Sequence, residues 1–302
     1  MLNRTKIFQK FKWLKDKNRQ FVISANYDGL ICASFLSHFL NWELVGYYNM
    51  QTIWISESGV KNKKDLIWVD LDIIPTLGRT LGGHIIKLGD SMPRGYSNSC
   101  NPNILMNLSN NNFNQKYPLS TLAFLIWLYD VKIPKTNYSK FLILHSDSMW
   151  LKFQKYSKNF NNWLHIFSDY NWKELFENIN SREYELEVDQ IFYSDLINLR
   201  AVSGFGKLKS KYLGLQCRES KFNPDWDEDI ILNLMELFAN HLQWGTFILP
   251  LISKKIKGKK ITIPVSEVQN IGISKFIREN KIFSYAITSP KIIKYTIFEK
   301  IK

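Results

Sequence analysis

Short apolar runs that end near acidic residues, alternating with longer apolar segments of helical length, constrain this chain more than any other property. Gln20 to Ala25 (QFVISA) has the pattern of a buried strand, Asp28-Gly29 reads as a tight turn, and Leu30 to Leu40 (LICASFLSHFL) as an apolar helix. WELVGYYN follows directly, and LIWVDLDI (Leu66 to Ile73) and HIIKLGD (His84 to Asp90) repeat the strand pattern. Tyr117 to Tyr129 supplies another apolar helix, and KFLILHSD (Lys140 to Asp147) reads as a further buried strand. Strands alternating with helices predict an α/β fold with a parallel sheet. In such a sheet ligands bind at the carboxyl ends of the strands. The stretch SNSCNPNILMNLSNNNFNQ reads as a polar loop and a candidate mobile lid.

The second half has a different texture. Trp150 to about Ser181 is aromatic and helical, and Trp226 to Trp244 opens with acids and then carries apolar residues at helical spacing. SKKIKGKKITIPV reads as a basic hairpin turning at Gly258, and FSYAITSPKIIKYTIF as two more strands. With 302 residues the expected organisation is two domains: a parallel-sheet α/β domain over 1–150 and a basic, mixed α+β domain over 151–302.

The formal charge of +13 is concentrated at the two ends: Met1 to Gln20 holds seven Lys/Arg against Asp16, and Ser253 to Lys302 twelve against three Glu. Clustered cations are the footprint of a phosphate-rich partner. Lys254, Lys255, Lys257, Lys259 and Lys260 around Gly258, with Lys291 and Lys294 beside Tyr285 and Tyr295, combine cations with aromatic faces, which suits single-stranded nucleic acid. The competing reading is a lysine-rich strand that protects a sheet edge. No apolar stretch reaches the roughly 20 residues of a membrane span, and the basic N-terminal segment lacks the apolar core of a secretory signal. Three cysteines without a CxxC spacing fit a reducing cytoplasm.

Asp28, Asp70 and Asp147 stand at the ends of apparent strands, and His84 opens HII. Divalent metals that act on phosphates take hard oxygen ligands with an occasional imidazole. Gly82 and Gly83 allow backbone N–H groups to approach an anion, and Ser120-Thr121 at a helix start offers either a cap or anion donors. His145, in an apolar run, reads as a core histidine.

Over roughly residues 20 to 150 the order of these motifs resembles the DHH phosphoesterase superfamily, which includes RecJ-type exonucleases, oligoribonucleases and manganese-dependent pyrophosphatases. The first family motif, His-x-x-x-Asp-x-Asp after a strand, falls on Val22 to Asp28; the bridging Asp falls on Asp70, with Asp72 as a substitute; Gly82-Gly83-His84 stands where the family has Asp-His-His. YPLSTLAFLIWLY resembles the family helix that opens with Ser-Thr, and LILHSDSMW the final strand with its metal-binding Asp. The resemblance implies that one of the family's two metal positions is lost, since Val22 and Asn26 replace its ligands. The other is implied to keep Asp28, Asp70, His84 and Asp147 for one Mn²⁺ or Mg²⁺ at most, with Asp70 and His84 as the catalytic pair. The obvious register puts His84 at the family's phosphate-contacting imidazole. The Gly-Gly-Gly-His signature of the companion substrate domain is missing from the C-terminal half. The implied function is a catalytically impaired DHH-like protein that binds single-stranded nucleic acid or a nucleotide; the alternative is an active single-metal phosphodiesterase. Ten tryptophans leave room for protein partners or a homo-oligomer.

Overall fold

A computed structural model of the chain describes residues 2–71 and 78–298. Asp72 and Ile73 of the LIWVDLDI run lie outside the described residues. Among these the strands are, in chain order, β1 (Gln20–Ser24), β2 (Glu43–Tyr48), β3 (Thr52–Ser56), β4 (Ile67–Val69), β5 (Arg79–Leu81), β6 (Ser99–Cys100), β7 (Gly204–Lys209), β8 (Gln216–Glu219), β9 (Ile252–Lys257), β10 (Lys259–Pro264), β11 (Ile282–Ser289) and β12 (Ile292–Ile297). The protein is α/β, with a seven-stranded sheet in the order β6-β5-β4-β1-β2-β3-β9, a three-stranded sheet β10-β12-β11 and a ribbon β7-β8. Two compact units interleave along the chain. A sheet unit takes residues 2–24, 40–117 and 248 onward, and a helical unit takes 25–39 and 118–247.

In the sheet unit β1 lies at the centre. Phe21, Val22 and Ile23 are all fully buried, as a strand covered on both faces requires. β1 runs parallel to β2 and β4, and β4, β5 and β6 continue the parallel array. The sheet is nonetheless mixed and not purely parallel as expected, because β3 is antiparallel to β2 and β9 to β3. The physical reason is the link between β2 and β3: the Asn49 side chain accepts the N–H groups of Gln51 and Thr52 and closes a tight turn, far too short for a parallel crossover. Tyr48 packs edge-on against Trp68 and Phe283 within the core that Val22, Val45, Ile53 and Leu66 share. Its hydroxyl is 2.6 Å from Ser284 Oγ.

The expected basic hairpin at Gly258 is instead a handover between two sheets. β9 closes the edge of the large sheet against β3, whereas β10 pairs with β12. Gly258 donates its N–H to Gln51 O at 2.7 Å, and a Cβ there would stand 2.7 Å from Ile297 O. Only glycine lets the backbone pass so close.

Two further expected strands are corrected. Residues 84–90 form no strand; a single bridge joins Lys87 to Ser109. The asparagine-rich stretch serves as the neighbour that a strand would have had. Asn103 donates to Gly83 O (2.7 Å) and Ile85 O (3.0 Å) and accepts from Tyr117 N–H (2.7 Å), and Asn110 accepts from Gly89 N–H (2.8 Å). Asn101, Asn103, Ser109 and Asn110 are buried, so this stretch is a hydrogen-bonded scaffold and not a lid.

The helical unit contains the second correction. Residues 140–145 belong to the helix Asn137–His145, not to a strand; Thr136 caps it by accepting the Ser139 N–H. A short apolar run such as FLIL fits a buried helix as well as a strand, and the cap decides. Helix Thr121–Tyr129 is buried from Thr121 through Leu128, apolar all round as a central helix must be. Trp127 stacks on Phe167 at 4.3 Å between centroids. Helix Tyr27–Leu40 absorbs Asp28-Gly29, read above as a turn, into its first turn, with the Asn26 side chain accepting the Gly29 N–H. Among the described residues no helix is long and apolar enough to cross a membrane.

Candidate functional site

Asp70 directly follows β4 and stands at the carboxyl end of the parallel strands. Its backbone is left-handed (φ 57°), a conformation that Asp tolerates better than most residues, and its N–H donates to Leu81 O at 2.9 Å. Asp70 is 4% exposed. Ser24, at the end of β1, donates its hydroxyl to Oδ2 at 2.6 Å, and His84 Nε2 lies 2.8 Å from Oδ1. An ionised carboxylate only accepts, so Nε2 carries the proton in this arrangement. The same spacing suits two adjacent ligands of one ion, since metal bonds of about 2.1 Å at a right angle place the donor atoms about 3 Å apart.

Gly82 and Gly83 have local duties. The Gly82 N–H donates to Cys100 O at 3.3 Å. A Cβ on Gly83 would meet the ring of Tyr117 at 2.6 and 2.8 Å, and Tyr117 is buried. Gly83→Ala is therefore expected to destabilise the protein by about 1–3 kcal/mol through overpacking, read as a lower urea midpoint with an unchanged slope.

In the helical unit Asp28 and Asp147 come together, neither of them at a strand end. Asp28 lies in the first turn of helix Tyr27–Leu40, and its Oδ1 accepts the Ser146 hydroxyl at 3.0 Å and the Asp147 N–H. Asp147 and Ser148 are consecutive left-handed residues (φ 53° and 54°) between helices Asn137–His145 and Met149–Lys155. Two such residues in succession cost energy and turn the Asp147 carboxylate towards Lys152, 3.7 Å away. Ser120 is the N-cap of helix Thr121–Tyr129, accepting the Ala123 N–H at 3.0 Å, and both Ser120 and Thr121 are buried.

Asp28 and Asp147 line a cavity of about 300 Å³ whose wall also includes Lys152, Lys207, Arg218 and Lys221. The sequence reading missed these cations. The alternation in GFGKLK, followed by a turn at Gly214 (φ 65°), is the signal that marks β7 and β8 as a hairpin. His145 is a buried histidine as expected; burial pushes its pKa down to about 3, so the ring is neutral. A larger cavity of about 670 Å³ lies elsewhere in this unit. None of the expected site residues lines it, and its Lys135 is already matched by Glu174 at 2.8 Å.

The C-terminal lysines divide between two sheets. Lys254, Lys255 and Lys257 are exposed on β9, Lys259 and Lys260 on β10, and Lys291 before β12, while Lys294 on β12 is half-buried. Tyr285 and Tyr295 are buried, Tyr285 beside Tyr96 and Tyr295 edge-on against Phe276; neither offers the open aromatic face expected beside Lys291 and Lys294. β9 ends the order of the large sheet, where exposed lysines also discourage pairing with another chain. Comparison of the chain with known protein families, with curated proteins and with solved structures finds no match.

Proposed function

We propose that this chain is a degenerate relative of the DHH phosphoesterases that holds one divalent ion at Asp70 and His84 and binds a nucleotide or single-stranded nucleic acid. The observation that carries this reading is the pairing of the Asp70 carboxylate with the His84 imidazole at the carboxyl end of β4. Mg²⁺ and Mn²⁺ sites in phosphate-handling proteins need only one or two such protein ligands, the rest of the shell being water and substrate phosphate. Both donors suit Mn²⁺, and the Asp70 backbone is fixed by its bond to Leu81. Asp28 and Asp147 belong to the ligand set that the sequence resemblance implies, and Asp28→Asn and Asp147→Asn test their membership. Calorimetry should find one Mn²⁺ per chain; two tight sites, or none, would overturn the reading.

The polyanion part rests on the exposed lysines of β9 and β10. Affinity for a single-stranded oligonucleotide should fall steeply with salt, and the triple change of Lys257, Lys259 and Lys260 to Glu should reduce the slope of log K against log salt by about 2. A salt-independent affinity would remove nucleic acid as the ligand. A second reading, residual single-metal hydrolysis, is favoured by the retention of an imidazole beside the carboxylate; cleavage that survives Asp70→Asn would exclude this centre as its source.

A further inference from the structure

Three buried polar atoms without a hydrogen-bond partner, His145 Nδ1, Arg218 Nε and Ser220 Oγ, belong to residues that line the 300 Å³ cavity of the helical unit. His145 is 5% and Ser220 7% exposed. Buried polar groups are nearly always bonded, so three of them around one cavity point to a ligand from outside the chain. The charges agree. Lys152 is matched by Asp147, and Lys221 by Glu219 at 2.7 Å. Among the described residues Arg218 and Lys207 have no acidic side chain within ion-pair distance. The Arg218 guanidinium lies over the rings of Phe205 (4.6 Å) and Tyr193 (5.3 Å), which fix its plane without consuming its N–H donors.

We propose that this cavity binds a small phosphate monoester, with Arg218 and Lys207 neutralising the dianion and Ser220 and His145 hydrogen-bonding to its oxygens. A planar guanidinium and several convergent donors match the three terminal oxygens of a phosphate better than the two of a carboxylate. The volume suits a small ligand. The proposal rests on Arg218, Lys207, Ser220 and His145, none of which belongs to the metal ligand set, although Asp28 and Asp147 of that set share the cavity wall; its test is run without metal.

The test is calorimetry with inorganic phosphate, and with phenyl phosphate as a simple ester, in the presence of EDTA. Wild-type protein should bind both. Arg218→Ala should weaken binding roughly 30-fold or more, and Lys207→Ala and Ser220→Ala each about fivefold, while Asp70→Asn binds as wild type. Far-UV circular dichroism and thermal melting establish that each variant is folded; should Arg218→Ala fail to fold, the exposed Lys207 and the small Ser220 substitutions decide. Absence of binding up to about 10 mM phosphate, or wild-type affinity in the Lys207 and Ser220 variants, overturns the proposal. Wild-type protein that binds phosphate but, without EDTA, takes up no Mn²⁺ would sink the metal reading alone.

Discussion

Glu185→Ala is expected to be the most destabilising single substitution named for this protein, at about 3–5 kcal/mol. Glu185 is completely buried in the helical unit. Its carboxylate accepts the backbone N–H groups of three consecutive residues, Lys211 (3.1 Å), Tyr212 (3.2 Å) and Leu213 (2.7 Å), together with the Gln154 amide (3.0 Å). These residues form the turn between β7 and β8, so one side chain stands in for the hydrogen bonds that the turn cannot make within itself. Alanine would take this acceptor from the Tyr212 and Leu213 N–H groups and from the Gln154 amide, leaving Lys211 only its bond to Gln154 Oε1 at 2.9 Å, and glutamine would set an NH₂ group against them. Burial alone would raise the Glu185 pKa, but hydrogen bonds from Ser210, Leu213, Gln154 and Tyr212 outweigh it and hold the carboxyl below its ordinary value of 4.5. The unfolded chain therefore takes up the proton first as pH falls. The stabilisation is fully present above pH 4.5 and disappears as pH drops through the folded-state value. Urea unfolding at neutral and acid pH should show Glu185→Gln much weaker than wild type at neutrality and nearly equal to it at low pH. A constant difference across that range would mean that the carboxylate is not the anchor.

Asp70→Asn should lower Mn²⁺ affinity by more than about 100-fold and leave the fold in place. The isosteric amide can keep the bonds to Ser24 and His84. Asn Oδ1 accepts from His84, and Asn Nδ2 donates to Ser24 Oγ, because a hydroxyl accepts as readily as it donates. The left-handed backbone at this position suits Asn as well as Asp. The charge, however, is gone, and a neutral amide is a poor ligand for a hard divalent ion. The comparison protein is the Lys257, Lys259 and Lys260 to Glu variant, which should bind Mn²⁺ normally and lose oligonucleotide affinity. If Asp70→Asn binds Mn²⁺ as wild type does, the ion is held elsewhere.

The strands that carry Asp70 were readable from the sequence because burial on both faces writes an unbroken apolar run: QFVIS and LIWV could be little else so close to turn signals. Helix Thr121–Tyr129 was readable for the same reason together with its serine cap. FLIL at 141–144 was not, since a helix buried on all sides and a buried strand use the same residues, and the cap that distinguishes them lies outside the run. HII at 84–86 failed differently: its partners are asparagine side chains, and composition gives no hint that an Asn-rich stretch is folded inward. The order of motifs singled out Asp70 and His84 as candidates, and the structure sets the two side chains 2.8 Å apart. Arg218 and Glu185 were invisible, because nothing local distinguishes a buried charge from a solvated one when its partners lie far away in sequence.

The junction of β3 with β9 has a bearing on how the chain is made. Thr52 pairs with Lys257 and Ser253 bonds to Ile55, so β3 leaves the ribosome about two hundred residues ahead of the strand that covers it. At ordinary rates of elongation that interval is on the order of 10–40 s. Throughout it the backbone donors and acceptors of TIWIS form an uncovered edge, the kind of surface that recruits another chain. Nascent protein is thus most exposed to misassembly not at its beginning but through the long middle of its synthesis, and interruption of translation shortly before residue 252 would release a product with that edge permanently open.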